Sequence, residues 1–486
     1  MVKPETKGSS VSLGKTDQGQ GRRLERMIFE ASRASEYFDA RQLSTLTGVA
    51  QPEFASYALK ELIDNALDAC ETHGAAPEVV VEVGAKEARY IDGTIRDDAL
   101  IAITVADNGN GIPPETVHKI LNFETRTSDK AAYRSPTRGA QGNALKTVIG
   151  IPYALGYKGS LLIAGQGVGH SIKPWVDPAG VVRVEHEEVS LELDGTLVKL
   201  FIPYYTSQRI AHHETQDFDP LHWVRSFAAF NPHAALTYHG KSGVFKGFEM
   251  YKSTRETTKK YVPSEPTSPH WYSPESLKTL VFSYIAAAEN GGGRDKPVGE
   301  FVREFQGLAR PAKAKAVRDR IGNIKHLSEY KDNPDAVGEL LSAMQEESKP
   351  PKPSALGFVG KEHFEQFFES IYDVQEFQYV KREGTLPSGL PLVSEFALAN
   401  LAEPGHLYTA INFSPTFGDP LEGTTLAGPK FKANGIAGFL SQGHALPKRE
   451  RSWYESPASV AVAAHLITPA PIYLNRGKTR LNMEGA

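Results

Sequence analysis

The chain has 486 residues, of which 40% are hydrophobic, 23% charged and 9% aromatic. That length predicts about three domains at roughly 100–200 residues each, and the composition excludes disordered, collagen-like and coiled-coil classes. Fifty-four basic residues against fifty-eight acidic ones give a net charge of −4, so any nucleic-acid contact has to come from a local patch.

The longest apolar runs, such as Val460–Ile467, are under half the length a membrane span needs, and that one contains His465. The opening Met-Val-Lys-Pro-Glu-Thr-Lys leads into no apolar stretch, which speaks against a signal peptide. A single cysteine, Cys70, forbids an internal disulfide and a cysteine-based zinc site. The expectation is a cytoplasmic, nucleoid-associated protein with no membrane partner.

Residues 1–22 are rich in Gly, Ser, Lys and Gln without apolar periodicity and read as a flexible tail. The stretch from Leu24 to His73 is mostly helical in pattern, and 79–83, 100–105, 160–164, 181–189 and 196–202 read as strands. Together they predict one layered α/β domain over 23–245. Residues 265–345 form a helical domain, with helices at Pro274–Ala288, Val298–Phe305, Ala312–Ile321 and Pro334–Met344. The proline-rich 346–356 is a linker. Strand signals return at 376–382, 406–413, 460–467 and 471–474, with a helix around 428–442, in a last domain over 357–486. No repeat occurs at a fixed period.

Three elements carry chemistry. In Glu53–Cys70, Leu59, Leu62, Ile63, Ala66 and Cys70 share one helical stripe, while Glu61, Asn65 and Asp68 lie opposite, at i, i+4 and i+7. Alone, that is a solvated acidic face. Farther on, Ala106-Asp107-Asn108-Gly109-Asn110-Gly111-Ile112-Pro113 ends a strand. It is either a plain turn or an adenine pocket, with a carboxylate to accept from the exocyclic amine and glycines that let backbone approach the base. The third, Thr137-Arg138-Gly139-Ala140-Gln141-Gly142-Asn143-Ala144-Leu145-Lys146, is a glycine-bearing loop entering a helix, which aims backbone N–H groups at an anion.

In this order and spacing the three resemble the GHKL ATPases: gyrase, the heat-shock chaperone of ninety kilodaltons, histidine kinases and the mismatch-repair ATPase. The resemblance is closest to the B subunits of DNA topoisomerase VI. Ser35-Glu36-Tyr37-Phe38 resembles their N-terminal strap, Lys60–Ala69 their N-box, and Thr137-Arg138-Gly139 the start of their phosphate loop. It implies ATP and Mg²⁺ as ligands. Glu61 would be the general base and Asn65 the Mg²⁺ ligand, with Asp68 also in the nucleotide site. Asp107 would read adenine, with Gly109 and Gly111 along the base. Gly139, Gly142 and Lys146 would hold phosphates, and Thr137, Arg138, Gln141 and Asn143 would also belong to the nucleotide site. Ala144 stands where these loops usually carry glycine, a departure that bears on turnover.

Ser268-Pro269-His270-Trp271-Tyr272 and the helices after it look like the helix-two-turn-helix insertion of the same subunits. There Arg310, Lys313, Lys315, Arg318, Arg320 and Lys325, opposed only by Asp319, are either a solvated face or a phosphate-tracking patch. Lys349–Val359 resembles the entry to a transducer domain, and Thr468–Arg480 the loop that reaches back into the ATP site. Gly477-Lys478-Thr479 is not a P-loop, because Ile472 stands where one needs glycine. By resemblance Lys478 is the catalytic switch lysine on the γ-phosphate. Eight residues follow it, whereas those subunits continue into a long stalk helix, so the connection to a cleavage subunit is expected from another chain or a different working mode.

The resemblance implies a multidomain α+β chain: a Bergerat-type α/β sandwich, a helical insertion and a transducer of ribosomal-S5-like fold. As an ATP-hydrolysing B-type subunit it would dimerise with ATP and close a gate on DNA. A separate A-type subunit would carry the tyrosine that cuts. The alternative is a GHKL switch or clamp in a defence or break-forming complex without strand passage. A histidine kinase is disfavoured, since no phosphoacceptor helix precedes the ATP domain.

Overall fold

A computed structural model of the chain describes residues 33–86, 90–91, 94–95, 100–124, 132–138, 144–203, 218–242, 245–256, 260–291, 293–322, 324–386, 388–420, 459–471 and 473. The first half contains α1 (Ala40–Thr47), α2 (Phe54–His73), β1 (Glu78–Lys86), the small hairpin β2 (Tyr90–Ile91) and β3 (Thr94–Ile95), and β4 (Leu100–Asp107). It continues through α3 (Pro114–Ile120), α4 (Ala144–Ala154), β5 (Leu161–Gly165), β6 (Val168–Val176), β7 (Val182–Ser190) and β8 (Thr196–Pro203). Then follow α5 (Pro220–Phe230), β9 (Ala235–Gly240) and β10 (Gly247–Tyr251).

Eight of these strands form one sheet in the order β10-β9-β1-β4-β8-β5-β6-β7. Its pairs are antiparallel except β1 with β9. Burial alternates along β4, where Ile101, Ile103 and Val105 point into the helical layer. Strand β6 is not among the sequence-predicted strands. Its Val-Gly-His-Ser-Ile-Lys-Pro-Trp-Val has weak strand propensity, and pairing with β5 and β7 on its two edges overrides that weakness.

Helix α2 is the centre of this layer. Gly74 ends it in the left-handed region at φ 78°, a conformation that glycine adopts without steric penalty. Leu59, Leu62, Ile63, Ala66 and Cys70 are buried as their stripe predicts. Lys60, Asp64 and Glu71 are buried as well, which the stripe does not predict, because the chain also covers the back of α2.

The helical segment comprises α6 (Pro274–Glu289), α7 (Val298–Arg303), α8 (Pro311–Ile321) and α9 (Ala336–Glu346), close to the sequence-predicted spans. Ser273 caps α6 by accepting from the Ser276 N–H. Leu277, Leu280 and Val281 of α6 are buried, as are Val337, Leu340 and Leu341 of α9, and the two helices pack together.

The last part holds α10 (Lys361–Glu369) and five strands: β11 (Val374–Thr385), β12 (Pro391–Leu401), β13 (Leu407–Ile411), β14 (Ser414–Pro415) and β15 (Val460–Ile467). They form a second sheet, ordered β11-β12-β15-β13-β14, with β13 and β15 parallel. The helix expected around 428–442, and all of the 471–474 strand except 471 and 473, lie outside the described residues. Glu395, fully buried in β12, accepts from the Val359 and Gly360 N–H groups and the Tyr379 hydroxyl, and faces His465 Nδ1 at 2.9 Å. It thereby fixes the exit of the proline-rich segment onto the second sheet. One apolar core runs through both sheets. The Phe230 ring of α5 lies 5.9 Å from Phe364 of α10 and 5.3 Å from His465 of β15.

Candidate nucleotide site

Helices α2, α3 and α4 stand around a cavity of about 530 Å³ above β4 and β8. Asn65, Ala66 and Ala69 enter it from α2, Asp107 and Gly111 from the end of β4, Lys119 from α3, Lys146 from α4, and Thr196 from β8. Among the sequence-predicted residues, Asn65, Asp107, Gly111 and Lys146 are therefore brought together.

Asp107 is anchored. Its Oδ1 accepts from the Gly109 N–H at 2.9 Å and the Thr196 N–H at 3.2 Å. Burial pushes its pKa up, and these hydrogen bonds only partly offset the shift. Two glycines let the chain close around it. A Cβ on Gly195, at φ 79°, would lie 1.8 Å from the Asp107 carbonyl oxygen, and one on Gly111, at φ 71°, 2.8 Å from the Gly195 carbonyl oxygen. Gly109 packs against Ala69 of α2, where a Cβ would sit 3.0 Å from backbone. Asn108 bolts the turn to its neighbours: its Oδ1 accepts from the Glu78 N–H at 2.9 Å, and its Nδ2 donates to the Ala76 carbonyl at 2.9 Å.

On α2, Asn65 is exposed within the cavity wall, and Glu61 stands one turn earlier. The buried Lys60 ammonium donates to Glu61 Oε1 at 3.2 Å and to Asp64 Oδ2 at 2.7 Å. Burial works to lower the Lys60 pKa, but the two carboxylates outweigh it and raise it. Lys146 is 1% exposed and donates to the Asn122 carbonyl, and burial lowers its pKa.

Arg138 and Asp68, both expected in the nucleotide site, are paired with each other. The Arg138 guanidinium is sealed beneath α2, donating to Asp68 at 3.1 Å, to both oxygens of Glu71 at 2.9 Å, and to Asn231. Glu71 also pairs with Lys260 and His233, and these partners hold its carboxyl well below the usual range despite burial. From the second sheet, the Ser414 hydroxyl donates to Asp64 Oδ2 at 2.7 Å, and Asn231 Nδ2 donates to the Phe413 carbonyl at 3.1 Å. Thr137 lines a different cavity, of about 480 Å³, together with Tyr133, Glu265 and Tyr284. Gly139, Gln141, Gly142, Asn143 and Lys478 lie outside the described residues; Ala144 opens α4.

Sequence reasoning missed Thr196 and Lys119. Thr196 follows an Asp-Gly turn into β8, a local signal of a turn only; its place beside Asp107 depends on β4 pairing with β8. Lys119 gives no local signal.

In the basic run, Arg310, Lys315, Arg318 and Lys325 are exposed, whereas Lys313 donates to the Glu347 carbonyl and Arg320 pairs with Glu346 and Glu347. No helix among the described residues is long and apolar enough to cross a membrane.

Residues 50–151 match the family described as histidine kinase-, DNA gyrase B- and HSP90-like ATPase. The chain is 25% identical over 384 residues to the B subunit of type 2 DNA topoisomerase 6 from Metallosphaera sedula, an alignment covering 76% of this chain and 66% of that one. With the same subunit from Archaeoglobus fulgidus it shares 24% over 378 residues, covering 75% and 57%. The chain thus spans about two thirds or less of the length of these relatives. The crystal structure of the 43K ATPase domain of Thermus thermophilus gyrase B in complex with an aminocoumarin overlaps 89% of this chain and 80% of its own. At 14% identity and a TM-score of 0.32, that overlap is too loose to carry an argument.

Proposed function

We propose that this chain, which carries a GHKL ATPase domain and is related over most of its length to topoisomerase VI B subunits, binds and hydrolyses ATP to drive a conformational cycle on DNA. The observation that carries the reading is Asp107, a buried carboxylate anchored by two backbone N–H groups at the wall of a cavity that also holds Asn65 and Lys146.

In this reading Asp107 accepts from the exocyclic amine of adenine, and the bare backbone at Gly109 and Gly111 lies along the base. Lys146 and the loop through Gly139, Gln141, Gly142 and Asn143 hold the phosphates. The Asn65 side-chain oxygen is a hard donor of the kind Mg²⁺ takes alongside substrate phosphates and water, and the ion would offset phosphate charge there. Glu61, oriented by the Lys60 ammonium, takes the proton of the attacking water, a contribution of about 10²–10⁴-fold. Arg138 and Asp68 act indirectly, tying the start of the phosphate loop to α2.

The domain plan is a tail at 1–22, an ATP-binding domain at 23–245, a helical insertion at 265–345, a linker at 346–356 and a transducer at 357–486. Lys478 would reach the γ-phosphate from the transducer. Tyr473, shortly before it, supports this route: it packs against the apolar cluster of Leu407, Ile411 and Leu466 in the second sheet, from which Ser414 reaches Asp64 of α2. The partners are DNA, a second copy in the ATP state and a separate A-type cleavage subunit, in the cytoplasm.

The test is phosphate release and calorimetry on the purified chain with ATP and Mg²⁺, then relaxation of supercoiled DNA with whatever subunit co-purifies. No binding of ATP sinks the proposal. Binding and turnover without relaxation leave a GHKL switch or clamp and remove strand passage.

A further inference from the structure

Away from the nucleotide cavity, three imidazoles and a carboxylate converge where α3 lies over β6 and β7. On these antiparallel strands His170 is directly opposite Glu188, and His186, two residues along β7, points to the same face. Thr116 and Ile120 of α3 face the cavity; His118, about 200° around the helix from Thr116, faces the other way. His118 Nε2 lies 2.8 Å from Glu188 Oε1, and His170 Nδ1 lies 2.9 Å from His186 Nε2 and 3.5 Å from Glu188 Oε1. One ligand atom each from His118, His186 and Glu188 falls within 4.8 Å of the other two.

We propose that His118, His186 and Glu188 form a binding site for a divalent transition-metal ion, zinc in the first instance, with the buried His170 holding the His186 ring. Tetrahedral zinc with bonds of about 2.0–2.1 Å to nitrogen and oxygen sets its ligand atoms roughly 3.3 Å apart, the scale of the separations found here. The ligand types fit: imidazole nitrogen and carboxylate oxygen are zinc donors, and a partner on the far side of a ligating ring is the usual way its orientation is fixed. A plain hydrogen-bonded cluster accounts for the contacts less well. Glu188 is shared between His118 and His170, and His170 is fully buried with its Nε2 lacking a hydrogen-bond partner among the described residues. His118 and Glu188 are 56% and 46% exposed, which leaves an entry path and room for a water as fourth ligand. An ion here would pin α3, a wall of the nucleotide cavity, to the edge of the sheet.

The experiment is titration of chelator-treated, tag-free protein with Zn²⁺ by calorimetry, and with Co²⁺ by visible absorption, alongside the double variant His118→Ala, His186→Ala and the single variant His170→Ala. The expected result is one Zn²⁺ per chain, tetrahedral-type Co²⁺ bands and a zinc-dependent rise in melting temperature. All three should be lost in a double variant whose circular dichroism matches wild type. His170→Ala should weaken Zn²⁺ by about 10–100-fold. No stoichiometric uptake by wild type, or uptake undiminished in the double variant, overturns the proposal.

Discussion

Replacing Asp107 with asparagine separates base recognition from folding, because the structure dictates which way the new amide must turn. Two N–H groups, of Gly109 and Thr196, converge on Oδ1. That position must remain an acceptor, so the amide of the Asp107→Asn variant places its oxygen there and its NH₂ where the second carboxylate oxygen was. The anchoring bonds survive in weaker, neutral form, and a donor now meets the exocyclic amine of adenine. Losing a hydrogen bond to a charged group is worth about 1.5–3 kcal/mol, or about 10–150-fold in affinity. The burial that raises the Asp107 pKa works the other way on apo stability. A buried carboxylate with a raised pKa favours the folded state below its ordinary pKa and loses that advantage as pH rises through the raised value. The neutral amide should therefore cost little stability at neutral pH. Calorimetry with ATP and a non-hydrolysable analogue, paired with a thermal melt, reads both quantities. Equal affinity of the two proteins would remove Asp107 from the base pocket. A collapsed melt would show that anchoring, not recognition, is what the charge supplies.

Glu61→Ala should retain ATP binding and lose about 10²–10⁴-fold in hydrolysis; single-turnover phosphate release at the wild-type rate would refute its role as base. Arg138→Leu removes the buried cation that pairs with Asp68 and Glu71, and should lower unfolding free energy by about 3–5 kcal/mol in a denaturant melt, whereas a loss under about 1 kcal/mol would mean the pairs act like exposed ones. His363 is buried between the Thr254 hydroxyl and the Ala228 carbonyl, and burial pushes its pKa down to about 4. The unfolded chain therefore binds the extra proton first, and as pH falls from about 6.5 to about 4 stability should drop by roughly 3 kcal/mol, a slope that His363→Gln should flatten in melts across that window. Lys478→Ala should leave ADP affinity nearly intact and abolish the compaction or dimerisation that a triphosphate analogue induces, read by small-angle scattering; unchanged compaction would make Lys478 a surface lysine.

What could be read from the sequence was local. The stripe through Leu59, Leu62, Ile63, Ala66 and Cys70 announces α2, because helical period is a property of a dozen consecutive residues. The Asp107–Gly111 turn and the helical segment after Ser268 are legible for the same reason: caps, glycines and periodicity act within a few residues. Pairing and burial decided the rest. Lys60, Asp64 and Glu71 look like the solvated side of an amphipathic helix. They are buried because Ser414, distant from Asp64 by 350 positions, and Arg138, distant from Glu71 by 67, close over them. Such contacts leave no periodic trace in either segment. Thr196 comes beside Asp107 through the pairing of β8 with β4, and His118 joins His170, His186 and Glu188 only once α3 packs over β6 and β7. Periodicity names the elements, but which polar groups share a low-dielectric pocket is set by chain segments that meet only in the folded state. That decides whether Arg138 holds a phosphate or a buried carboxylate.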